Sequence, residues 1–307
     1  MSGQWTLLDV PSQAGKRFLI TGGNSGVGYY AALELARRGA EVVLACRSKA
    51  RAESAALQLT SDSRGGKAEV EVLDLASLDS VRRVSDDLLG RGVAFDGLIN
   101  NAGVMAPPKR METQDGFELQ FGTNVLGHYA LTCRLMPLVT GRVVTVASIA
   151  HQRGRMAFED LQAVKSYNPM RAYQQSKLGN LMFSMELERR LRAAGSAVSS
   201  IAVHPGLAKT NLFKIGGSKG LGRVAEVVLQ ASLGVLFGTG ADGAVPTIYA
   251  ATSPEAEGGG YYGPQGFKEM RGGDVGAAFV SDAAQDVAAQ RRLWDVCAEL
   301  TGVEIKS

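Results

Sequence analysis

A short apolar run, Lys16-Arg17-Phe18-Leu19-Ile20-Thr21, ends in glycines, and a helix-forming stretch follows from Tyr29 to Arg38 until Gly39 stops it. Between them lies Thr21-Gly22-Gly23-Asn24-Ser25-Gly26-Val27-Gly28. Strand, glycine turn and helix in this order confine the chain to few folds. Glycine lets the backbone turn sharply and approach a pyrophosphate, and the helix N-terminus then faces the anion. The spacing is Gly-x-x-x-Gly-x-Gly rather than Gly-x-Gly-x-x-Gly. A glycine cluster alone reads equally as a tight turn; its place between strand and helix favours phosphate.

Glu41–Cys46 reads as the second strand. In dinucleotide-binding folds, an acidic residue about 20 residues beyond the glycines accepts from the adenosine ribose hydroxyls. Here that place holds Ala45-Cys46-Arg47-Ser48-Lys49, with no carboxylate and one well-placed guanidinium. Arg47 is suited to clamp a 2′-phosphate with paired hydrogen bonds, so NADP(H) is expected over NAD(H). The alternative is that Arg47 is an ordinary surface residue.

Helix Ala50–Thr60, strand Glu69–Leu73, helix Leu78–Leu89 and strand Phe95–Ile99 continue the alternation. Such alternation implies parallel strands joined by right-handed crossovers. Ligands then bind outside the strands' carboxyl ends. Thr21, Arg47, Asp74 and Asn101 all stand at such ends.

Composition narrows the rest. The 307 residues are 45% hydrophobic, enough for one large core. A net charge of +3 is mild over this length and does not argue for nucleic acid. Three widely spaced cysteines, Cys46, Cys133 and Cys297, form neither a disulfide framework nor a zinc motif. No metal is expected, and a reducing, cytoplasmic setting fits. Met1–Ala14 has no apolar core of signal-peptide length, and Val224–Phe237 is too short and interrupted to span a bilayer.

Residues 171–178 read Arg-Ala-Tyr-Gln-Gln-Ser-Lys-Leu. Tyr173 and Lys177, four apart, share one face of a helix. A phenol titrates near about 10, and a fixed ammonium beside it lowers that value. The pair is thus a means of making an acid/base from tyrosine, although such spacing is common on ordinary surface helices.

Three motifs in one order, the Thr-Gly-x-x-x-Gly-x-Gly turn, Asn100-Asn101-Ala102-Gly103 and Tyr-x-x-x-Lys, resemble the short-chain dehydrogenase/reductase family. The likeness spans about residues 15 to 300. Asp115–His128, Ala45-Cys46-Arg47 and Arg292-Leu293-Trp294 are similar to the retinol-dehydrogenase-like branch. The resemblance implies an α/β fold: a Rossmann-type doubly wound parallel sheet of about seven strands with helices on both faces. It implies a single domain, 1–307, with a substrate lid at 207–240. Gly141–Ala147 and Val198–Val203 are its fifth and sixth strands, Gly260–Pro264 the last, Tyr173–Arg192 the helix of the pair, and Asp282–Leu300 the final helix.

By the same resemblance, Ser148, Tyr173, Lys177 and Asn124 are the catalytic set. Tyr173 exchanges a proton, Lys177 lowers its pKa and holds the nicotinamide ribose, Ser148 binds the substrate oxygen, and Asn124 positions a relay water. On residues alone, Ser148 reads equally as a cap. The cofactor set is Thr21, Gly22, Asn24, Ser25, Gly26, Val27 and Gly28; Arg47 and Ser48; Asp74 and Leu75; Asn101, Ala102 and Gly103; Tyr173 and Lys177; and Pro205, Gly206 and Thr210. His204 is read as packing at its strand end. In the stretch between Ser148 and Tyr173, Phe158, Leu161 and Tyr167 are candidates to line a substrate pocket, with a plain surface excursion as the alternative.

The implied reaction is hydride transfer between NADP(H) and a small carbonyl or alcohol. Alternatives are reduction of a carbon–carbon double bond on the same fold, and a catalytically silent NADP(H)-sensing protein. Relatives form homodimers or homotetramers through helices around 115–136 and 173–192, and some act alone.

Overall fold

Alternation along each strand decides which layer a side chain joins. In β1 (Arg17–Thr21), Phe18 and Ile20 enter one hydrophobic layer and Leu19 the other. The computed structural model describes residues 5–207, 239–272 and 274–305. Helix α1 (Gly26–Arg37) follows, then β2 (Glu41–Cys46), α2 (Lys49–Asp62), β3 (Lys67–Val72), α3 (Leu78–Arg91) and β4 (Phe95–Asn100). Local signals set the ends: the Ser77 side chain caps the start of α3, and Gly92, at φ 64°, closes it in the left-handed conformation.

A helical turn (Leu119–Phe121) runs through a π turn (Gly122–Leu126) into α4 (Gly127–Leu135). Then come β5 (Val139–Val146), α5 (Pro169–Ala193), β6 (Ser199–Val203), α6 (Gly240–Thr252), β7 (Tyr261–Pro264), β8 (Val275–Ala277) and α7 (Val287–Thr301). Among the described residues the sheet order is β3-β2-β1-β4-β5-β6-β7-β8. Pairing is parallel from β3 to β7. One layer buries α1, α2 and α6 against the sheet, and the other buries α3, α4, α5 and α7.

The expected doubly wound sheet is present, with eight strands rather than about seven. The extra strand, β8, runs antiparallel to β7 and pairs Ala277 with Tyr262 and Val275 with Pro264. Three residues, Val-Gly-Ala, are too few to carry an alternating pattern, so pairing alone defines this strand. Helix α5 begins at Pro169, not Tyr173: the Asn168 side chain accepts from Arg171 N, and proline occupies the first turn, where its missing N–H costs nothing. Helix α1 begins at Gly26, not Tyr29, inside the glycine turn. Asp282–Leu300 divides into a turn, Asp282–Gln285, and α7.

Helix α7 lies across α4 and α5. Trp294 stacks on Phe183 at 5.8 Å, meets Tyr129 edge-on at 5.0 Å and carries the Arg190 guanidinium 4.5 Å above its ring. Among the described residues, no helix is long and apolar enough to cross a membrane.

Candidate active site

The strand order reverses between β1 and β4, and a cleft of about 1520 Å³ opens along the carboxyl ends of the strands there. That crevice is where an open α/β sheet binds ligands. Gly22 and Gly26 hold φ of 67° and 57°, a region that side chains with a Cβ avoid. Their turn delivers the N-terminus of α1 to the cleft wall, its backbone N–H groups free to meet an anion. A Cβ on Gly28 would overlap the Asn101 amide. That amide donates to the Thr21 carbonyl at 2.8 Å, so the glycine and the asparagine lock β1 to β4.

Thr21 is buried behind this wall. Its Oγ1 accepts from the backbone N–H of Asn101 and of Ala102, both at 2.9 Å. At the far end of the cleft, Arg47 follows β2, and Ser48 stands at the N-cap of α2. Arg51, one turn into α2, joins them at the wall. Neither arginine pairs with a carboxylate among the described residues. Asp74 and Leu75 line the cleft after β3; Asp74 Oδ1 accepts from Ala76 N at 3.0 Å.

Ser148 follows β5. Its hydroxyl accepts from Ala150 N at 3.1 Å and so caps the turn Ile149–Arg153. The Tyr173 phenol faces the same cleft. The cap and the site are one hydroxyl. Burial pushes the Tyr173 phenol above its ordinary value, and the nearby Ser148 hydroxyl opposes this. Lys177, fully buried, donates from Nζ to Val146 O at 2.8 Å and lies 5.9 Å from the Tyr173 ring centre. Burial pushes it down to about 8. In the protein alone the phenol is thus raised, whereas a lowering by Lys177 was expected: desolvation outweighs an ammonium turned toward a carbonyl.

Asn124 sits inside the π turn and is wholly buried. Single π turns interrupt helices mostly at functional positions. Its side chain is fully engaged: Oδ1 accepts from Val104 N at 2.8 Å, and Nδ2 donates to Val104 O and Ser176 Oγ, each at 3.0 Å. The backbone carbonyl alone is left to face other groups. Pro205 and Gly206 reach the cleft after β6. His204 packs beneath them, as expected. Its Nδ1 accepts from Gly206 N at 3.2 Å, which leaves the proton on Nε2, 3.3 Å from Glu269 Oε2. That contact is an ion pair only if the ring is charged, and burial, pushing His204 down to about 3, keeps it neutral.

All the expected cofactor residues line this cleft except Thr21, which frames it from behind, and Thr210, which lies outside the described residues. The expected lid, 207–240, also lies outside them apart from Leu207, Thr239 and Gly240. Phe158, Leu161 and Tyr167 do not line the cleft. Leu161 is buried in the core, Phe158 carries the Arg292 guanidinium at 4.3 Å, and Tyr167 donates to Pro107 O at 2.8 Å. They brace the loop instead. The cleft is also lined by Met105, Ile149, Gln152, Arg153, Met170 and Gln174, none singled out beforehand. Met170 lies three residues before Tyr173 on the same helix, a spacing that was available as a signal, and Gln174 follows Tyr173 directly. Met105 sits in a segment without regular structure and Arg153 ends the short turn Ile149–Arg153, and neither carried a signal.

A model of the short chain dehydrogenase family matches residues 16–221. Retinol dehydrogenase 14 of Mus musculus is 40% identical over 305 residues, covering 94% of this chain and 86% of that protein. The solved structure of an uncharacterised protein from Mycobacterium paratuberculosis superposes with a TM-score of 0.83 at 40% identity, covering 99% of this chain and 100% of the other. A Burkholderia cenocepacia short chain dehydrogenase, solved in complex with NADP, shares the fold at a TM-score of 0.61 and 23% identity, over 81% of this chain and 96% of its own. The chain belongs to the short-chain dehydrogenase/reductase family, in its retinol-dehydrogenase-like branch.

Proposed function

We propose that this chain is an NADP(H)-dependent oxidoreductase that moves a hydride between the nicotinamide and a small carbonyl or alcohol. The observation that carries the reading is the meeting of Ser148, Tyr173 and Lys177 at the wall of the cleft that begins at the glycine turn. A donor pair at the substrate end and an anion-binding helix terminus at the other suit a dinucleotide laid along the strand ends. The residues present fit NADP(H): free N–H groups at α1, and Arg47 and Arg51 where a ribose-binding carboxylate would favour NAD(H). NADP in the Burkholderia cenocepacia structure supports the same choice.

When bound, the cofactor supplies the hydride chemistry. The chain's own part is to orient the substrate and handle one proton. Ser148 bonds the substrate oxygen and steadies the charge that develops on it. Tyr173 donates the proton in reduction and removes it in oxidation. Lys177 offsets the phenolate's charge as the proton leaves, and Asn124 holds the relay water through its carbonyl.

Tyr173→Phe tests the assignment. Turnover of a carbonyl panel falls by roughly 10²- to 10⁴-fold while NADPH binding stays near normal. Retained turnover removes Tyr173 from the role. A parallel enone panel separates carbonyl from carbon–carbon double-bond reduction.

A further inference from the structure

His128 lies one turn beyond Asn124, at the start of α4, and is buried. Its ring touches both halves of the site. Nδ1 lies 2.9 Å from the carbonyl oxygen of Asn124, and Nε2 lies 2.9 Å from Thr21 Oγ1. The partners dictate the tautomer. A carbonyl only accepts, so Nδ1 carries the proton. The Thr21 oxygen already accepts from Asn101 N and Ala102 N, so its own proton goes to Nε2. Every donor and acceptor in this chain is then used once. A charged ring would set an N–H against a hydroxyl whose proton has only the Ile99 carbonyl at 3.4 Å. Burial, with Lys177 adding its charge, pushes His128 down to about 4, in agreement.

We infer that His128 is a positioning residue, which fixes the Asn124 carbonyl for the proton relay and ties it to the Thr21–Asn101–Ala102 frame of the cofactor cleft. The inference rests on the oxidoreductase reading. Asn124 has no side-chain atom to spare, so its carbonyl is the group that must be aimed. The π turn that carries this carbonyl breaks the regular helical bonding pattern, so a further bond helps set the carbonyl's direction. A ring held at both nitrogens supplies that direction. It also makes the frame under the cofactor and the relay beside Lys177 parts of one hydrogen-bonded chain.

The test compares the full wild-type chain with His128→Leu, which fills the volume and bonds neither partner, and His128→Gln, which keeps one donor and one acceptor. Melting temperature, NADPH binding by cofactor fluorescence, and kcat and KM for an accepted carbonyl are measured on each. Misaiming a group near the chemistry costs on the order of 10- to 100-fold. His128→Leu therefore loses that factor in kcat, with KM for the carbonyl nearly unchanged, and weakens NADPH binding severalfold; His128→Gln regains most of both. Equal kcat in all three overturns the inference. So does a loss shared by Leu and Gln that merely follows the melting temperature. Should Leu not fold, a Gln chain of unchanged melting temperature but reduced kcat overturns it, and one near wild type supports it. If the wild type turns over no carbonyl or alcohol, the oxidoreductase reading falls, and NADPH binding alone decides: unchanged affinity in His128→Leu overturns the bridge, and weakened affinity restored by Gln supports it.

Discussion

Lys177 Nζ donates to the carbonyl oxygen of Val146, the last residue of β5, so the strand end fixes the ammonium beside the Tyr173 ring. Of the two groups, Lys177 is the one that changes charge near neutral pH. Burial brings it down to about 8, while it raises the phenol. Below that pH the ammonium is charged and, in the proposed mechanism, offsets the phenolate forming as Tyr173 gives up its proton. Above it the charge is lost. Carbonyl reduction therefore holds a plateau below about pH 8 and declines above it. Lys177→Met lacks that limb, and its plateau is lower by roughly 10²- to 10⁴-fold. A kcat profile for both proteins decides the matter; an unchanged limb in Lys177→Met would assign it to another group.

All three histidines of the chain are buried around the cleft. Burial lowers His128 to about 4 and His204 to about 3, and lowers His151, whose Nδ1 faces Ser148 O at 2.8 Å. The sign follows from linkage. Unfolded, each ring takes a proton near pH 6.5; folded, it resists until lower pH. The unfolded state thus binds more protons in that window, and stability is full above about pH 6.5 and falls as the pH drops toward the folded values. His128 alone contributes a loss on the order of 3 kcal/mol by about pH 4. Urea midpoints measured from neutral to acid pH give the slope. A flat stability across the window would mean the rings are already charged in the fold.

Trp294 closes the α4–α5 face. Its ring stacks on Phe183, meets Tyr129 and lies under Arg190. Truncating a buried tryptophan leaves a cavity, and Trp294→Ala should cost about 3–5 kcal/mol. It also loosens α7 from an apolar surface that includes Phe183, Leu181 and Tyr129. An exposed surface of that kind favours association. Denaturant titration reads the first effect and sedimentation at rising concentration the second. A stability change under about 1 kcal/mol would show that α7 contributes little.

Much of this was legible because each signal is local. The glycine turn, the Asn-Asn-Ala-Gly strand end and Tyr173-x-x-x-Lys177 report backbone and side-chain needs within a few residues. The fold's alternating periodicity forced their convergence at the strand ends. Three things were not legible. Strand β8 exists only through its pairing with β7, a long-range fact. The cleft wall draws Met105 from a segment without regular structure and Arg153 from a turn too short for a period to point inward. The direction of the Tyr173 shift depends on how dry the site is, which the spacing of Tyr and Lys does not encode. Phe158, Leu161 and Tyr167 stayed ambiguous for a related reason: aromatic and apolar residues in a long loop serve bracing and ligand binding alike.

Arg47 and Arg51 stand four residues apart across the join of β2 and α2, both exposed at the cleft wall. The acidic side chain of α2 nearest them, Glu53, faces Lys49 at 3.8 Å, which leaves both guanidinia to solvent. Two cations and the N-terminus of a 14-residue helix make a place for a dianionic phosphate. A charged hydrogen bond contributes about 1.5–3 kcal/mol, or roughly 10- to 100-fold in affinity. Arg47→Asp, which also introduces repulsion, should raise the KM for NADPH by at least that factor and lower the KM for NADH. Arg51→Ala should raise the NADPH value less and leave NADH unmoved, because a ribose hydroxyl offers it no charge to bind. On the proposed NADP(H) reading, salt should erode the wild type's preference for NADPH, since both side chains are exposed. An NADPH-to-NADH ratio that survives both substitutions would place the 2′-phosphate elsewhere.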